Sequence, residues 1–223
     1  MPDLTDTTVL VTGASGRLGG VLLRHLANAG ATVAGVARSA PRNAPDGFHF
    51  AAADATDEAS LEAAFAQIRD EAGPIDVVIH AVGMWSGGPL AETTLADWNA
   101  VLSLNLTASF LVVRESVRHF LRDGSGRVIG IASRQGADRA PAQQAAYGAS
   151  KAGLIRLLEA TAAEHAADGI QAITVAPSMI LFGGEDPGTR GVSAKDVAAL
   201  CAYLCTDAGA GHNSATLRMY GSF

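Results

Sequence analysis

Charged residues and cysteines are scarce in this sequence. Only 17% of its 223 residues are Asp, Glu, Lys or Arg, whereas 48% are hydrophobic, a balance that excludes an intrinsically disordered chain. The two cysteines, Cys201 and Cys205, stand in the apolar segment DVAALCAYLCTD, on one face of a predicted helix. We expect them to pack in the core and not to form a disulfide or a metal site. This cysteine usage also predicts a reducing, cytoplasmic setting.

An excess of positive charge, a membrane-spanning run and a signal peptide are missing as well. The net charge is -6, so the chain has no basic balance that would attract nucleic acid or an anionic membrane. No uninterrupted apolar run reaches the ~18 residues of a membrane span, and the opening MPDLTDTTVLVTG lacks the basic and apolar regions of a signal peptide. No metal is predicted, because none of the histidines has the spacing of metal ligands: His25, His49, His80, His119, His165 and His212.

Apolar strands alternate with helical segments along the whole sequence. The predicted strands are 7–13, 31–38, 48–54, 75–83, 126–133, 170–177 and 215–221. The predicted helices are 16–30, 57–73, 94–123, one that holds Tyr147 and ends near Ala167, and one around the cysteines, while 178–193 reads as a loop. This alternation is typical of a parallel sheet covered on both faces. The sequence therefore predicts an α/β, doubly wound Rossmann fold of about seven strands in one domain, residues 1–223.

A glycine-rich turn joins the first predicted strand to the first predicted helix. In VLVTGASGRLGG, the glycines at positions 13, 16 and 19 allow a tight turn and leave the backbone N–H groups of the helix open. Because a strand precedes the turn and a helix follows it, the pattern predicts a dinucleotide phosphate site rather than glycines that serve packing alone.

The end of the second strand distinguishes NAD from NADP. An acidic residue there would bind the ribose of NAD, but the sequence has Ala37 followed by Arg38, and Arg17 lies in the glycine turn. Two guanidinium groups suit a 2′-phosphate dianion, unless both are simply solvated. NADP(H) is therefore the favoured cofactor, with NAD(H) as the alternative.

A tyrosine and a lysine stand four residues apart in AAYGASKAG. Tyr147 and Lys151 should share one helix face, with only small residues between them. The pair could be an ordinary helix surface or a phenol and an ammonium arranged for proton transfer. A tyrosine with its usual pKa near ~10 is a poor base at neutral pH. A neighbouring ammonium would lower that pKa.

TGASGRLG at 12–19 and YGASK at 147–151 together resemble the short-chain dehydrogenase/reductase family, and the resemblance follows nearly the whole chain. It implies a catalytic set of Asn105, Ser133, Tyr147 and Lys151. Tyr147 would be the proton donor or acceptor, Ser133 would bind the substrate oxygen, and Asn105 would anchor a water near Lys151. The implied cofactor-binding residues are Gly13, Ser15, Gly16, Arg17, Leu18, Gly19, Arg38, Asp54, Ala55, Ala81, Gly83, Tyr147, Lys151 and Pro177.

The implied function is hydride transfer between NADP(H) and a carbonyl or secondary alcohol of a small to medium organic substrate. Two alternatives stay open: a nucleotide-sensing regulator without chemistry, and a dehydratase or epimerase. The glycine spacing T-G-x-x-G-x-x-G is more typical of the extended branch of the family. The chain, however, lacks the additional C-terminal domain of that branch.

Several positions depart from the family pattern. IHAVG places His80 and Ala81 where two asparagines are common, and we expect His80 to be structural rather than a catalytic base. Ser178 follows Pro177 in place of glycine, and the Ser133 to Tyr147 interval is slightly long. These departures concern the substrate more than the fold. Of the residues that could line the pocket, Trp85 could equally belong to the core.

The helix predicted at 94–123 is apolar around much of its circumference. A single sheet-facing stripe cannot bury all of these side chains, which predicts a second partner. The resemblance implies a homo-oligomer, a tetramer or a dimer, in which this helix and the Tyr147 helix pair with those of another copy. The apolar residues concerned are Leu102, Leu104, Leu106, Phe110, Leu111, Val112, Val113 and Val117.

Overall fold

A computed structural model of the chain describes residues 2–186 and 188–221. Parts of the predicted domain, of the 178–193 loop and of the C-terminal segment fall on Met1, Pro187, Ser222 and Phe223, which lie outside the described residues. The strands are β1 Thr8–Thr12, β2 Thr32–Ala37, β3 His49–Ala52, β4 Val77–His80, β5 Gly126–Ile131, β6 Ile170–Pro177, β7 Ile180–Leu181, β8 Val192–Ser193 and β9 Thr216–Met219. The α-helices are α1 Arg17–Asn28, α2 Glu58–Ala72, α3 Leu95–Leu102, α4 Ala108–Asp123, α5 Arg134–Ala137, α6 Ala145–Glu164 and α7 Ala194–Leu204.

Seven parallel strands form the central sheet, in the order β3-β2-β1-β4-β5-β6-β9. β1 pairs with β2 on one side and with β4 on the other, and Thr12 lies opposite His80 at their carboxyl ends. The strand order reverses at this point, which opens a crevice at the carboxyl ends of the strands, where doubly wound folds bind their ligands. The predicted Rossmann fold is confirmed.

A hydrophobic core lies on each face of the sheet. On one face, side chains of α2, α4 and α6 pack on the strands around Phe65, Phe120 and Leu154. On the other face, α1 and α7 pack around residues such as Leu22 and Cys201. Cys201 and Cys205 are both free and buried, as predicted, and burial raises the pKa of the Cys205 thiol to about 12. Burial on both faces explains why the strands read as continuous apolar runs.

The helical segment predicted at 94–123 is interrupted. α3 passes into one π-helical turn, Ser103–Thr107, before α4 begins. A π-turn inserts one extra residue into the α-helical register and is often found at functional sites. Asn105 lies at its centre, fully buried. The prediction of a single regular helix was therefore wrong at this point.

By length and hydropathy, the segment Leu95–Asp123 could cross a membrane, but 56% of its most apolar window is buried inside the fold. α4 packs against the sheet, α2 and α6. Such burial is the usual situation of a core helix in a protein of this architecture.

Two smaller elements were not predicted from the sequence. α5 is a single turn that begins directly after Ser133, and the predicted loop 178–193 contains the short parallel pair β7 and β8. The Tyr147 helix ends at Glu164, a few residues earlier than predicted. The position of α5 becomes important below, because it borders a cavity.

Candidate active site

The glycine turn brings the backbone of β1 very close to that of β4. Gly13 has φ +74°, and a Cβ atom there would lie 2.9 Å from the Ala81 carbonyl oxygen. Gly19 is buried, and a Cβ there would overlap the Gly13 carbonyl oxygen. Both positions therefore need glycine. α1 begins at Arg17 with no capping side chain and no acidic residue in its first turn, so its terminal N–H groups are open to an anion.

A cavity of about 390 Å³ lies beside this turn, between the ends of β1, β2 and β4. Eight of the predicted cofactor residues line it together: Gly13, Ser15, Gly16, Arg38, Asp54, Ala55, Ala81 and Gly83. Hydrogen bonds from the backbone N–H and hydroxyl of Thr56 lower the pKa of Asp54, and the Arg38 charge contributes less. Asp54 is thus a fixed anionic acceptor at one end of the cavity.

Arg17, Leu18, Gly19 and Pro177 do not line that cavity. The Arg17 guanidinium lies 4.0 Å from the centre of the Phe182 ring, in cation–π geometry. Leu18 packs on the core, and Pro177 ends β6 in a buried position. Arg17 instead borders a second cavity, of about 360 Å³, which shares Ser15 and Gly16 with the first.

Four further polar residues of this second cavity were not identified from the sequence: Arg24, Ser39, Arg42 and Asn43. Arg24 lies on α1, and the other three follow β2. The run SAPRN after Arg38 was the available signal, because residues just past the second strand reach the same edge as the glycine turn. Together with Arg17, the cavity has three arginines and no acidic lining residue.

Ser133 and Tyr147 come together beyond the end of β5. The Ser133 hydroxyl oxygen is buried and has no hydrogen-bond partner among the described residues. It is nevertheless near enough to lower the pKa of the Tyr147 phenol, although burial dominates and leaves that pKa raised. Tyr147 is therefore protonated at neutral pH, and a buried hydroxyl without a partner lies beside it. An oxygen atom of a ligand would complete this arrangement.

Lys151 is buried one turn after Tyr147. Its Nζ donates a hydrogen bond to the Ile131 carbonyl oxygen at 3.0 Å, and burial lowers its pKa to about 8. We predicted that its ammonium lowers the pKa of Tyr147; in this structure, burial outweighs any such effect and the pKa is raised. Its Nζ lies beside Gly83, a residue that lines the first cavity, because a Cβ on Gly83 would lie 3.0 Å from Nζ.

The Asn105 carboxamide holds the loop after β4 through hydrogen bonds to its backbone. Its Oδ1 accepts from the Met84 N–H at 2.8 Å, and its Nδ2 donates to the Met84 carbonyl at 2.9 Å. Nδ2 also donates to Ser150 Oγ at 3.1 Å, which in turn donates to the Tyr147 carbonyl at 2.8 Å. Asn105 therefore ties the loop to the Tyr147 helix. Its partners Met84 and Ser150 were not predicted.

His80 lies in a buried chain of hydrogen bonds behind the site. Its Nδ1 is 2.8 Å from Thr12 Oγ1, its Nε2 is 2.9 Å from Ser109 Oγ, and Ser109 donates to the Asn105 carbonyl at 2.6 Å. Because Ser109 donates its only hydroxyl proton to the Asn105 carbonyl, His80 must donate to Ser109 through Nε2 and accept from Thr12 at Nδ1. Burial, and secondarily the Lys151 charge, lower the pKa of His80 to about 3, so the ring is neutral. Its placement agrees with the predicted structural role.

The rim of the site is apolar. Met84 is 41% exposed and Trp85 is 64% exposed, so Trp85 does not belong to the core. Met179, just past β6, is also exposed. Exposed large apolar side chains around a cleft are a common feature of sites that bind organic ligands.

Taken as chemistry, the site fits a nicotinamide dinucleotide. The glycine positions leave room that any side chain would fill. The first turn of α1 can bind a pyrophosphate. The 390 Å³ cavity extends as far as Gly83, which lies beside Lys151. The unpartnered Ser133 hydroxyl and the protonated Tyr147 phenol can both donate to one oxygen atom. The predicted catalytic residues thus converge on one edge of the sheet.

Comparison with known proteins gives consistent matches. The family described as short chain dehydrogenase matches residues 7–184. D-threitol dehydrogenase of Mycolicibacterium smegmatis is 31% identical over 247 aligned positions, which cover 99% of this chain and 94% of the relative. Acetoacetyl-CoA reductase of Cupriavidus necator is 32% identical over 187 positions, covering 79% and 76%. 3-Oxoacyl-[acyl-carrier-protein] reductase of Vibrio harveyi is 32% identical over 184 positions, covering 80% and 75%.

Two solved structures resemble the whole fold. A dehydrogenase/reductase from Sinorhizobium meliloti superimposes with a TM-score of 0.87 and 26% identity, covering 97% of this chain and 94% of the other. The crystal structure of gox2181 gives the same TM-score with 25% identity, covering 97% and 95%.

Proposed function

The chain belongs to the short-chain dehydrogenase family, and we propose that it is an NADP(H)-dependent oxidoreductase acting on a carbonyl or secondary alcohol of a small to medium organic substrate. The observation that carries this proposal is the pairing of Ser133 and Tyr147. A buried hydroxyl without a partner lies beside a phenol whose pKa is raised, next to a cavity that fits the dinucleotide. When bound, the nicotinamide would supply the hydride for reduction or accept it in oxidation.

In the proposed reaction, Tyr147 holds the proton that the substrate oxygen needs. A phenol with a raised pKa is a proton donor at neutral pH, which favours reduction of a carbonyl. Ser133 would donate a hydrogen bond to the same oxygen and stabilise the charge that develops there. The Lys151 ammonium, now bonded to the Ile131 carbonyl, would re-supply or orient the Tyr147 proton and hold the cofactor ribose. Asn105 would keep the Met84 loop and Ser150 in place beside them.

We propose NADP(H) over NAD(H) because of the charge around the glycine turn. β2 ends at Ala37, so the acidic residue that would bind an NAD ribose is absent from that position, and Arg38 lines the cofactor cavity. The adjoining cavity adds Arg17, Arg24 and Arg42. Guanidinium groups bind a phosphate dianion through charge-assisted hydrogen bonds.

The relatives suggest what the substrate could be. Two of the relatives described above are, by name, reductases of a 3-oxoacyl-[acyl-carrier-protein] and of acetoacetyl-CoA, and the third is a dehydrogenase of the polyol D-threitol. A thioester with a β-carbonyl is the first candidate, because the apolar rim of Met84 and Trp85 suits an acyl chain. Oxidation of a polyol is the second, because that relative covers nearly the whole chain.

The test of the function follows the absorbance of NADPH. We expect the protein to oxidise NADPH in the presence of acetoacetyl-CoA, or to reduce NADP⁺ in the presence of D-threitol. Tyr147→Phe should lower kcat at least ~100-fold and leave NADPH affinity nearly unchanged, because it removes the proton donor and little volume. Tyr203→Phe is the matched control, because Tyr203 lies at the end of α7 and, among the described residues, its hydroxyl donates only to the Ala208 carbonyl just past that helix.

Three results would contradict the proposal. Near wild-type turnover by Tyr147→Phe would remove Tyr147 from the proton-donor role. NADPH binding without turnover across a carbonyl and alcohol panel would favour a nucleotide-sensing protein. Substrate conversion without net NADPH consumption would favour a dehydratase or epimerase.

The cofactor preference has its own test. Titration should give tighter binding of NADPH than of NADH, and Arg38→Ala should weaken NADPH roughly tenfold while changing NADH little. Arg122→Ala, on the exposed end of α4, is the control. Equal affinities of the wild-type protein for the two cofactors would overturn the NADP(H) assignment.

A further inference from the structure

We propose that the substrate of this site carries an anionic group, a carboxylate or a phosphate, and that Arg134 and Arg139 bind it. The inference rests on the proposed oxidoreductase function and concerns a third cavity, of about 390 Å³, which borders α5. Its lining residues are Arg134, Asp138, Arg139, Pro141 and Tyr220. None of these residues belongs to the cofactor cavities described above.

The one carboxylate of the cavity is fully engaged. Asp138 Oδ2 accepts from the Tyr220 hydroxyl at 2.6 Å, and Oδ1 accepts from Arg218 Nε at 2.8 Å. These hydrogen bonds lower the pKa of Asp138, so the group is a charged carboxylate whose charge Arg218 balances. Arg218 is held further by a bond from Nη2 to the Ala137 carbonyl. Asp138, Arg218 and Tyr220 thus form a neutral, hydrogen-bonded wall.

The other two arginines have no carboxylate in direct contact among the described residues, although the Arg134 charge contributes slightly to the lowered pKa of Asp138. Neither Arg134 nor Arg139 forms an ion pair with any described residue, and the Arg134 guanidinium lies 5.9 Å from the centre of the Tyr220 ring. With the Asp138 charge balanced by Arg218, which lies outside the lining, the cavity has a surplus of two positive charges in a chain whose net charge is -6. Guanidinium groups that line a concave site without an acidic partner are suited to planar or tetrahedral oxyanions.

The cavity is connected to the candidate reacting centre through α5, although neither Ser133 nor Tyr147 lines it. Arg134 directly follows Ser133, so their Cα atoms are about 3.8 Å apart. α5 packs on α6 at Lys151, where a Cβ on Gly136 would overlap the Lys151 backbone. A substrate whose carbonyl oxygen meets Ser133 and Tyr147 can therefore place an anionic group several bonds away between Arg134 and Arg139.

The site should discriminate between charged and neutral forms of the same carbonyl compound. Two matched sets of probes separate the anion classes: 4-oxopentanoate and 6-oxoheptanoate against their methyl esters, and dihydroxyacetone phosphate against dihydroxyacetone. With NADPH, we expect at least one charged member to exceed its neutral partner in kcat/KM by roughly tenfold or more. The set that shows the preference identifies carboxylate or phosphate as the group bound.

Substitution of the arginines decides whether this cavity is responsible. In an Arg134→Gln/Arg139→Gln double variant, the preference for the charged member should fall to within about twofold, while kcat/KM for the neutral member stays near wild type. Arg122→Gln is the control, because it removes an exposed guanidinium at the end of α4, just before the amino end of β5, whereas the cavity lies past the carboxyl end of that strand. A rise in salt should erode the preference in the wild type only.

The outcomes separate this proposal from the function on which it rests. Turnover of neutral carbonyls with no advantage for charged ones, or an advantage that survives in the double variant, would overturn the anion site and leave the oxidoreductase function standing. If none of the probes is reduced, the proposed function fails for these carbonyls. The anion site is then decided by calorimetric titration of 4-oxopentanoate and dihydroxyacetone phosphate into the NADPH-loaded protein. Binding that the double variant loses would support it, and absence of binding would overturn it.

Discussion

Lys151 shows how a single residue of the site opposes the stability of the fold. It is fully buried, and among the described residues its Nζ donates only to the Ile131 carbonyl. Burial lowers its pKa from 10.5 to about 8, so the folded state holds this proton less tightly than the unfolded state. Below pH 8 the amine is charged in both states, and the full cost of burying it is present. Between pH 8 and 10.5, stability rises with pH as the folded state loses that charge first.

Lys151→Met should therefore stabilise the cofactor-free protein while abolishing activity. The pKa shift of Lys151 corresponds to a destabilisation of roughly 3 kcal/mol at pH 7, which the Met side chain removes. Loss of the hydrogen bond to Ile131 costs about 1 kcal/mol, so the free energy of unfolding should rise by about 2 kcal/mol. The gain should shrink above pH 8, vanish before pH 10.5 and give way there to a loss of about 1 kcal/mol from the missing hydrogen bond. Urea unfolding at pH 7, 9 and 10.5 measures it, with the exposed Lys195→Met as control. A Lys151→Met variant that is less stable than the wild type at pH 7 would contradict the argument.

Gly83 leaves a space beside Lys151 and Asn105 that a side chain would fill. A Cβ there would lie 3.0 Å from Lys151 Nζ and 3.3 Å from Asn105 Oδ1. Gly83→Ala should displace the ammonium and lower kcat roughly tenfold or more, because small misplacements of catalytic groups cost large factors in rate. Gly88→Ala in the same loop is the control, since a Cβ there meets no atom within 4 Å. Steady-state kinetics of both variants check this, and equal activities would show that Gly83 has no such role.

At the scale of elements, the π-turn between α3 and α4 aims Asn105 at the site. In a continuous α-helix, removal of the extra residue of the π-turn would rotate Asn105 by about 100° relative to α4. The Asn105 carbonyl is held by the Ser109 hydroxyl, which His80 orients from β4. The buried chain from Thr12 to Asn105 thus fixes the register of the turn.

Ser109→Ala should disturb this register and lower kcat several-fold, with a smaller change in KM. Ser116→Ala is a closely matched control, because Ser116 is equally buried on the same helix and makes the same kind of bond, to the Val112 carbonyl at 2.7 Å. Ser116→Ala should cost about 1 kcal/mol of stability, and Ser109→Ala should cost more, because it also leaves the buried His80 Nε2–H without its acceptor. A fall in kcat confined to Ser109→Ala, measured where both variants are fully folded, supports the positioning role. Equal effects on kcat in the two variants would reduce Ser109 to a structural residue.

The sequence predicted the regular elements well, because the apolar pattern of each element reflects which of its faces are buried. Strand β6 has its predicted bounds, Ile170–Pro177, since both of its faces are covered and its apolar run is continuous. The π-turn could not be predicted, because the helical pattern continues on both sides of Asn105. What favours the turn is tertiary: the bonds from Asn105 to Met84 and Ser150. The β7–β8 pair depends on residues twelve apart and leaves no local periodicity.

The same distinction applies to the site. Sequence motifs were enough to propose four site residues, because each motif corresponds to a fixed position on a helix or just after a strand. These residues are Asn105, Ser133, Tyr147 and Lys151. Partners that act through the backbone, such as Met84 and Ile131, carry no side-chain signal and were missed. The raised pKa of Tyr147 could not be foreseen either, because it depends on burial in the folded chain.

At the scale of the whole molecule, positive charge is concentrated along one edge in an acidic protein. Arginines border the glycine turn on one side and α5 on the other, both at the carboxyl ends of the strands. Because the whole chain carries a net charge of -6, the rest of the molecule is more negative than that. We expect this arrangement to draw anionic ligands towards the edge that holds the candidate cofactor and substrate sites.

The assembly of the molecule follows from its apolar surface. α4 buries most of its apolar side chains, but Phe110 remains 45% exposed, with the Arg114 guanidinium 4.9 Å from its ring. Leu102 and Leu106 of the same segment are only half-buried, and Leu106 packs against Gly153 of α6. A surface of this kind on two adjacent helices suits burial against a second copy of the chain.

We therefore expect a homo-oligomer, a tetramer or a dimer, that buries the α4 and α6 surfaces. Light scattering at micromolar concentration should give a mass at least twice the 22.7 kDa of the monomer. Phe110→Asp should shift the protein towards the monomer, because a carboxylate buried without a partner in an interface costs several kcal/mol. Met179→Asp is the control, since Met179 is an even more exposed apolar residue located in the loop after β6. A single monomeric species for the wild type would rule the assembly out, and an unchanged mass for Phe110→Asp would place the interface on another surface.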